Sequence, residues 1–421
     1  MTSYTLPYGH EHISIEVPAT WQVDQLEPQP GDPLPDPDRA IIEALHSPMG
    51  AIGWEKFVGA KTVGIAINDK TRPVPKPNPI VHLLNHLEGL WFAPDQITLF
   101  VGSGTHTPMT PDELPQILDQ SIIERFKIQA HDCDRSPLID LGKSNYGNPI
   151  QINADFYNCD LKFSVGNIEP HHFMGFSGGI KTAAIGLAGR ATIDSNHAGL
   201  THPHARTGEY NINPLRQEIE EIGHKSGVQF SLGTVLDERK RVLKVFFGSP
   251  LAVMDAAIPF VRQSFGVEVS APYDLVIASP GGAPKDINLY QSQKGLTHAS
   301  RITRDGGWVF LLAACPEGSG SASYEDYILN ADSHPAVIDH FQSGYFQVGP
   351  HKALQIAREA VRINIVLVSD IPPNTVKTWK LTPSKPELIN DLISWISNQI
   401  PADARVAILP AATRTMTEVR K

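Results

Sequence analysis

Only three cysteines occur in 421 residues, Cys133, Cys159 and Cys315, and no CxxC pair joins them. That excludes a disulfide scaffold, a zinc knuckle and a thioredoxin-type redox motif, and it points to a reducing compartment. No apolar run approaches the roughly 18 to 20 residues of a spanning helix. Gly9, His10, Glu11 and His12 interrupt the N-terminus where a secretory signal would need an unbroken apolar stretch. A cytoplasmic protein with no membrane partner is therefore expected. Basic runs are missing too: 35 Lys plus Arg face 45 Asp plus Glu, a net charge of -10, so no nucleic-acid partner is expected.

What is present is an ordinary globular composition, 41% apolar and 19% charged, in a chain long enough for two or three domains at roughly 150 residues each. Tyr4 to Val17 alternates like an edge hairpin, and the Pro-rich stretch from Pro28 to Pro37 reads as a connector. Short buried strands then alternate with helical periodicity: 62–67, 97–101, 275–279, 308–313, 364–368 and 406–409 as strands, with 38–46, 81–90, 214–224, 249–265, 351–362 and 386–400 as helices. This pattern predicts an α/β fold with mainly parallel sheet. The segment from Leu187 to Tyr210, rich in turn residues and histidine, reads as irregular. A domain boundary is expected between Gly266 and Tyr273.

Three clusters could carry chemistry. In Asn68-Asp69-Lys70-Thr71-Arg72-Pro73 an acid and a guanidinium follow a buried strand, either as a surface ion pair or as a fork for carboxylate or phosphate. Gly102-Ser103-Gly104-Thr105-His106 is a glycine loop at a strand end, carrying a histidine able to act as acid, base or ligand. It is neither a P-loop nor the dinucleotide-binding GxGxxG. The third runs from His171 through Gly175, Ser177, Gly178, Gly179 and Lys181 to His197, His202 and His204. Its glycines read as a turn opening a helix, with amides offered to an anion and Lys181 as a cation or nucleophile. No HExxH is present for zinc.

In order and spacing, Asp69-Lys70-Thr71-Arg72-Pro73, Gly104-Thr105-His106-Thr107-Pro108, His171 to Lys181, His197 and Tyr290-Gln291-Ser292-Gln293-Lys294 resemble the nickel-dependent lactate racemase family. The resemblance implies a racemase or epimerase of a 2-hydroxy acid. It also implies two α/β domains with mainly parallel sheets and the active site in the interdomain cleft. The expected domains are 1–268 and 269–400, with 401–421 able to return to the first. The implied cofactor is a nickel pincer nucleotide, a pyridinium mononucleotide bearing a thioamide and a thiocarboxylate. Lys181 would be its covalent attachment and His197 the protein's nickel ligand, a soft-sulfur and imidazole set that suits nickel(II). Asp69, Arg72, Ser177, Gly178 and Gly179 are the other expected cofactor contacts. His106 and His171 are the implied acid/base pair, and Arg72, Tyr290, Gln291 and Lys294 the implied substrate contacts. Partners would be the small 2-hydroxy acid and the cofactor-assembly enzymes.

Two departures stand out: Thr107 where an arginine is expected, and His351 near an expected tryptophan, which makes a larger or more polar 2-hydroxy acid, such as a sugar acid or dicarboxylate, a candidate beside lactate. Two rival readings stay open at this point. One is a zinc-dependent hydrolase using His197, His202 and His204; the other is a non-catalytic carrier of nickel or the nucleotide.

Overall fold

Val63–Asn68 is buried along nearly its whole length, as a strand covered on both faces must be. In the computed structural model, which describes residues 1–343, 347 and 349–420, this strand lies inside a six-stranded sheet. The order is Val242–Gly248, Phe230–Leu236, Leu161–Asn167, Val63–Asn68, Ile97–Gly102, Lys127–Ala130. All pairings are parallel except the Phe230–Leu236/Val242–Gly248 hairpin. The sheet belongs to one of two compact units, Pro30–Ser264, the central unit by chain position; Met1–Gln29 and the chain from Phe265 onward form the other, terminal unit.

Helices Pro37–His46 and Pro79–Leu90 start where their sequences say they should. Asp36 and Asn78 accept from backbone amides at the N-termini, each followed by a proline at the first helical position. Ile80, Leu83, Leu84 and Leu87 bury one stripe of the second helix in the same core as Ile65, Leu99 and Phe163. Phe230 is the centre of an aromatic stack there, with ring centroids 4.8 Å from Trp54, 5.3 Å from Phe163 and 5.2 Å from Phe247. Because Val63–Asn68 lies between Leu161–Asn167 and Ile97–Gly102, three adjacent parallel strands discharge their carboxyl ends side by side, where open α/β sheets bind ligands.

The terminal unit carries a fully parallel sheet in the order Thr382–Ser384, Asn364–Val368, Thr303–Leu312, Tyr273–Ala278, Arg405–Leu409, Gln22–Gln25. This differs from the expected division at one point and closes another that was left open. Residues 1–29 do not join the domain that follows them: Gln22–Gln25 pairs with Arg405–Leu409, and the Thr2–Tyr8/Glu11–Val17 hairpin buries Leu6, Ile15 and Val17 beside Ile277, Phe310 and Ile408. The segment after residue 400 does not return to the central unit either. Val406 to Leu409 is buried throughout, and a place between two strands of the terminal sheet provides that cover. A second difference is the helix Arg190–Ala198, within the stretch expected to be irregular. Its buried face is Thr192, Ile193 and Asn196, two of three polar, so no apolar period announced it. No described helix is long and apolar enough to cross a membrane.

Removing residues 1–29 should therefore destabilise the terminal unit alone. Losing Leu6, Ile15, Val17 and Trp21, at about 1.5 to 3 kcal/mol for each large buried side chain, should accelerate hydrogen exchange in 273–278 and 405–409. Exchange in 63–68 and 97–102 should stay as it was; acceleration there instead would contradict the division.

Candidate active site at the carboxyl ends of the central sheet

Asp69 follows directly on Val63–Asn68 and is buried, so its carboxylate needs donors. Thr71 supplies two, its Oγ1 at 2.5 Å and its backbone N–H at 3.1 Å, and His106 Nδ1 lies 2.8 Å from the other oxygen. Burial by itself would raise Asp69, but the hydrogen bonds from His106 and Thr71 outweigh it and hold the carboxyl below its ordinary range. An ionised carboxylate only accepts, so Nδ1 of His106 is the donor and Nε2 carries the lone pair. The His106 side chain is 50% exposed. This is the arrangement of a general base oriented by a buried acid. Asp69 is thus not the partner of Arg72, as the ion-pair reading would have it. Arg72 lines a recess with Asn68, Asp69, Asn167 and Thr234 at the ends of three strands, and Lys70 pairs with Glu113.

The glycine loop is built by a different device. Gly178 and Gly179 have φ of +78° and +61°, a left-handed pair, and a Cβ on Gly178 would lie 2.5 Å from the Ile168 side chain. Ser164 Oγ and Ser231 Oγ donate to Gly179 O at 2.8 and 3.1 Å. Arg216, 0% exposed, donates to Phe176 O at 3.0 Å and Gly178 O at 3.2 Å, and pairs with Glu220 at 2.6 Å. Lys181 leaves this turn at the start of the short helix Lys181–Ala184. Desolvation, reinforced by the charges of Arg72 and Arg216, pushes its amine down to about 7. One expectation needs narrowing. Ser177 N–H donates to Glu169 O at 2.9 Å and its Oγ to Asn167 O at 2.9 Å, so the amides left for an anion are those of Gly178 and Gly179.

Two further histidines border the loop. His171 sits in the hairpin Pro170–His171/Gly175–Phe176, where Nδ1 accepts from Met174 N–H at 3.1 Å, which places its proton on Nε2. His197, on Arg190–Ala198, donates from Nδ1 to Ile193 O at 2.9 Å and meets Phe173 edge-on at 5.3 Å. Burial, with the Lys181 charge adding to it, pushes His197 down to about 4. It is neutral near pH 7, with the lone pair on Nε2, the form that ligates a metal.

Comparison with known proteins was made against this geometry. Residues 8–208 match the family described as the lactate racemase N-terminal domain, and residues 269–416 match the lactate racemase C-terminal domain. The chain belongs to the lactate racemase family. It is 29% identical over 382 residues to the lactate racemase of Lactiplantibacillus plantarum, covering 88% of this chain and 89% of that one. It is 26% identical over 420 residues to the lactate racemase of Thermoanaerobacterium thermosaccharolyticum, covering 97% and 98%. The structure of the lactate racemase apoprotein from the latter organism aligns over 100% of both chains with a TM-score of 0.90 at 25% identity. As a member of this family the chain is an isomerase.

In this lactate racemase family chain the remaining expected residues, Tyr290, Gln291 and Lys294, lie in the terminal unit on Leu289–Arg301, whose N-terminus Asn288 caps by accepting from Gln291 N–H at 3.0 Å. Lys294 Nζ donates to Gln291 Oε1 at 2.6 Å. The zinc reading fails on geometry. Among the described residues the one group of three potential ligands is Asp132, Cys133 and Asp134, so His197, His202 and His204 do not converge. All three cysteines are unpaired by disulfide and buried. Sequence reasoning missed Arg216 and Glu220, which hold the glycine loop, and Glu218, which accepts from Asn196 at 2.8 Å beside His197. Their only sequence signal was a helix with an acidic face.

A lysine displaced to about 7 is unprotonated above that pH. Acylation by an amine-reactive ester, followed by peptide mass analysis, should show Lys181 reaching half its maximal rate near pH 7, with exposed lysines still protonated. An alkaline profile for Lys181 matching theirs would contradict the assigned environment.

Proposed function

We propose that the protein racemises or epimerises a 2-hydroxy acid, lactate or a related acid, with a nickel pincer nucleotide attached at Lys181 and its nickel ligated by His197. The observation that carries this reading is the pairing, around one glycine turn, of an amine held near neutrality with a neutral histidine whose Nε2 keeps its lone pair. The donor set fits the group: an uncharged amine can be acylated, and imidazole completes a coordination sphere otherwise made of sulfur and carbon. The Gly178 and Gly179 amides and the Arg72 guanidinium suit a phosphate. When bound, the nickel pincer nucleotide supplies a reversible hydride acceptor for the substrate carbon.

The rest is proton handling by this chain. A C–H beside a carboxylate is too weak an acid for a simple side-chain base, so the proton that the protein moves is that of the hydroxyl. His106 takes it at Nε2, and Asp69 stabilises the imidazolium through Nδ1. His171 is the second carrier for the opposite enantiomer, a role in which its own proton moves to Nδ1, releasing the Met174 N–H, so that Nε2 can accept. Arg72 holds the carboxylate so that the 2-oxo acid can turn without leaving. A carrier without catalysis would leave the Asp69–His106 pair with no task. Production of the loaded protein requires the cofactor-assembly enzymes as partners.

The experiment is racemisation in D2O by protein loaded with the cofactor. The reading predicts interconversion with protium retained at C2, and a roughly 10²- to 10⁴-fold loss in His106→Ala and in His171→Ala with the cofactor still attached. Deuterium at C2 would replace the hydride route by a carbanion route.

A further inference from the structure

Residues Gly186 to Arg190 lead from the helix Lys181–Ala184 into the helix Arg190–Ala198, and each is hydrogen-bonded to another part of the central unit. Gly186 O accepts at 3.0 Å from Gly104 N–H, in the loop that carries His106, and Leu187 O accepts from Asn153 N–H at 2.9 Å. Gly189 N–H donates to Gln151 O at 2.9 Å and Arg190 N–H to Cys133 O at 3.1 Å. The Arg190 guanidinium forks onto Asp134 at 2.5 and 2.6 Å, both side chains about half exposed. The fifth residue is held by a buried side chain: Ala188 O accepts at 3.0 Å from Nε2 of His131, which is 1% exposed.

The surroundings of His131 permit one tautomer. Asn153, also buried, caps Ala154–Tyr157 by accepting from Phe156 N–H at Oδ1, 3.0 Å, which turns its amide nitrogen to His131 Nδ1 at 3.2 Å. Nδ1 therefore accepts, and Nε2–H is committed to Ala188 O. Burial pushes the imidazole below its ordinary range, against the pull of the Ala188 bond and of Asp132, which keeps this neutral form in place at neutral pH. Neither ring nitrogen is left for chemistry. What the ring does is fix one carbonyl in the link between Lys181 and His197.

We infer that His131 is a positioning residue for the metal ligand: its Nε2–H tethers the link at Ala188 and so sets where His197 stands relative to Lys181. The inference rests on the function proposed above, in which those two residues hold the nickel pincer nucleotide. A covalent bond at Lys181 survives a displaced helix, whereas ligation by His197 does not. Loss of a contact that orients a ligand lowers metal affinity by roughly 10- to 100-fold, so nickel per covalent adduct is the quantity that moves.

Two amide replacements separate the tether from packing. In His131→Gln the side-chain amide reaches the place of Nε2 and donates to Ala188 O; in His131→Asn it stops at the place of Nδ1 and leaves Ala188 O unpaired. Each protein is co-produced with the cofactor-assembly enzymes, and adduct and nickel are quantified by intact mass and metal analysis. His131→Gln should keep the wild-type ratio of nickel to adduct, and His131→Asn should lower it by about tenfold with the adduct retained. An unchanged ratio in His131→Asn, or a loss shared equally by the two variants, overturns the inference. Without cofactor, amides in 190–198 should exchange with solvent about tenfold faster in His131→Asn than in His131→Gln, with 161–167 alike in both. Equal rates in 190–198 overturn the tether by themselves, whereas a wild type with neither adduct nor nickel refutes the proposed cofactor instead.

Discussion

Two backbone carbonyls, Phe176 O and Gly178 O, are held by a guanidinium with no exposure to solvent, and the position of Lys181 follows from that clasp. Arg216 is itself neutralised by Glu220, which also accepts from Tyr210 at 2.8 Å, so its buried charge is paired and hydrogen-bonded as such charges must be. The left-handed Gly178–Gly179 turn then delivers Lys181 beside the end of Val63–Asn68, where Thr182 Oγ1 donates to Asn68 Oδ1 at 3.0 Å. The same helix, Pro214–Lys225, serves His197. Two residues after Arg216, Glu218 accepts from Asn196 and Asn148, fastening Arg190–Ala198 in place. One helix thus positions both the amine and the imidazole proposed to hold the cofactor, and the Arg216 charge helps keep the amine unprotonated.

The two histidines proposed to move protons are held in opposite tautomers. His106 has its proton on Nδ1 against Asp69, and His171 has its proton on Nε2 because Met174 N–H occupies Nδ1. In the resting protein one is therefore ready to accept a proton and the other to donate a hydrogen bond. The oriented base is the more firmly built of the two, since its partner is a buried, ionised carboxylate with two further donors from Thr71.

Much of the candidate site could be read from residues, because the chemistry proposed for a lysine, histidines and strand-end glycine loops leaves a mark in order and spacing. Asp69, His106, His171, Lys181 and His197 lie in the central unit on segments the sequence singled out, and the alternation of buried strands with amphipathic helices gave the α/β class. What was illegible depends on long-range pairing. Nothing local in Gln22–Gln25 says that it will lie beside Arg405–Leu409, so residues 1–29 were assigned to the wrong neighbour and the place of the last strand was left open. Arg190–Ala198 was missed because its buried face is mainly polar. Arg216 was invisible for a related reason, since a buried arginine is indistinguishable by type from a solvated one. The Ser177 amide looked available in a glycine turn, and only the tertiary contact with Glu169 shows that it is already used.

The central claim, that Lys181 carries a nickel-bearing group, is tested most directly by intact mass with metal analysis. The protein is co-produced with cofactor-assembly enzymes, and wild type is compared with Lys181→Ala. The account predicts an added mass and nickel in the wild type, with the covalent adduct lost when the lysine is removed. An adduct that persists in Lys181→Ala, or a wild-type protein with neither adduct nor nickel, would contradict it.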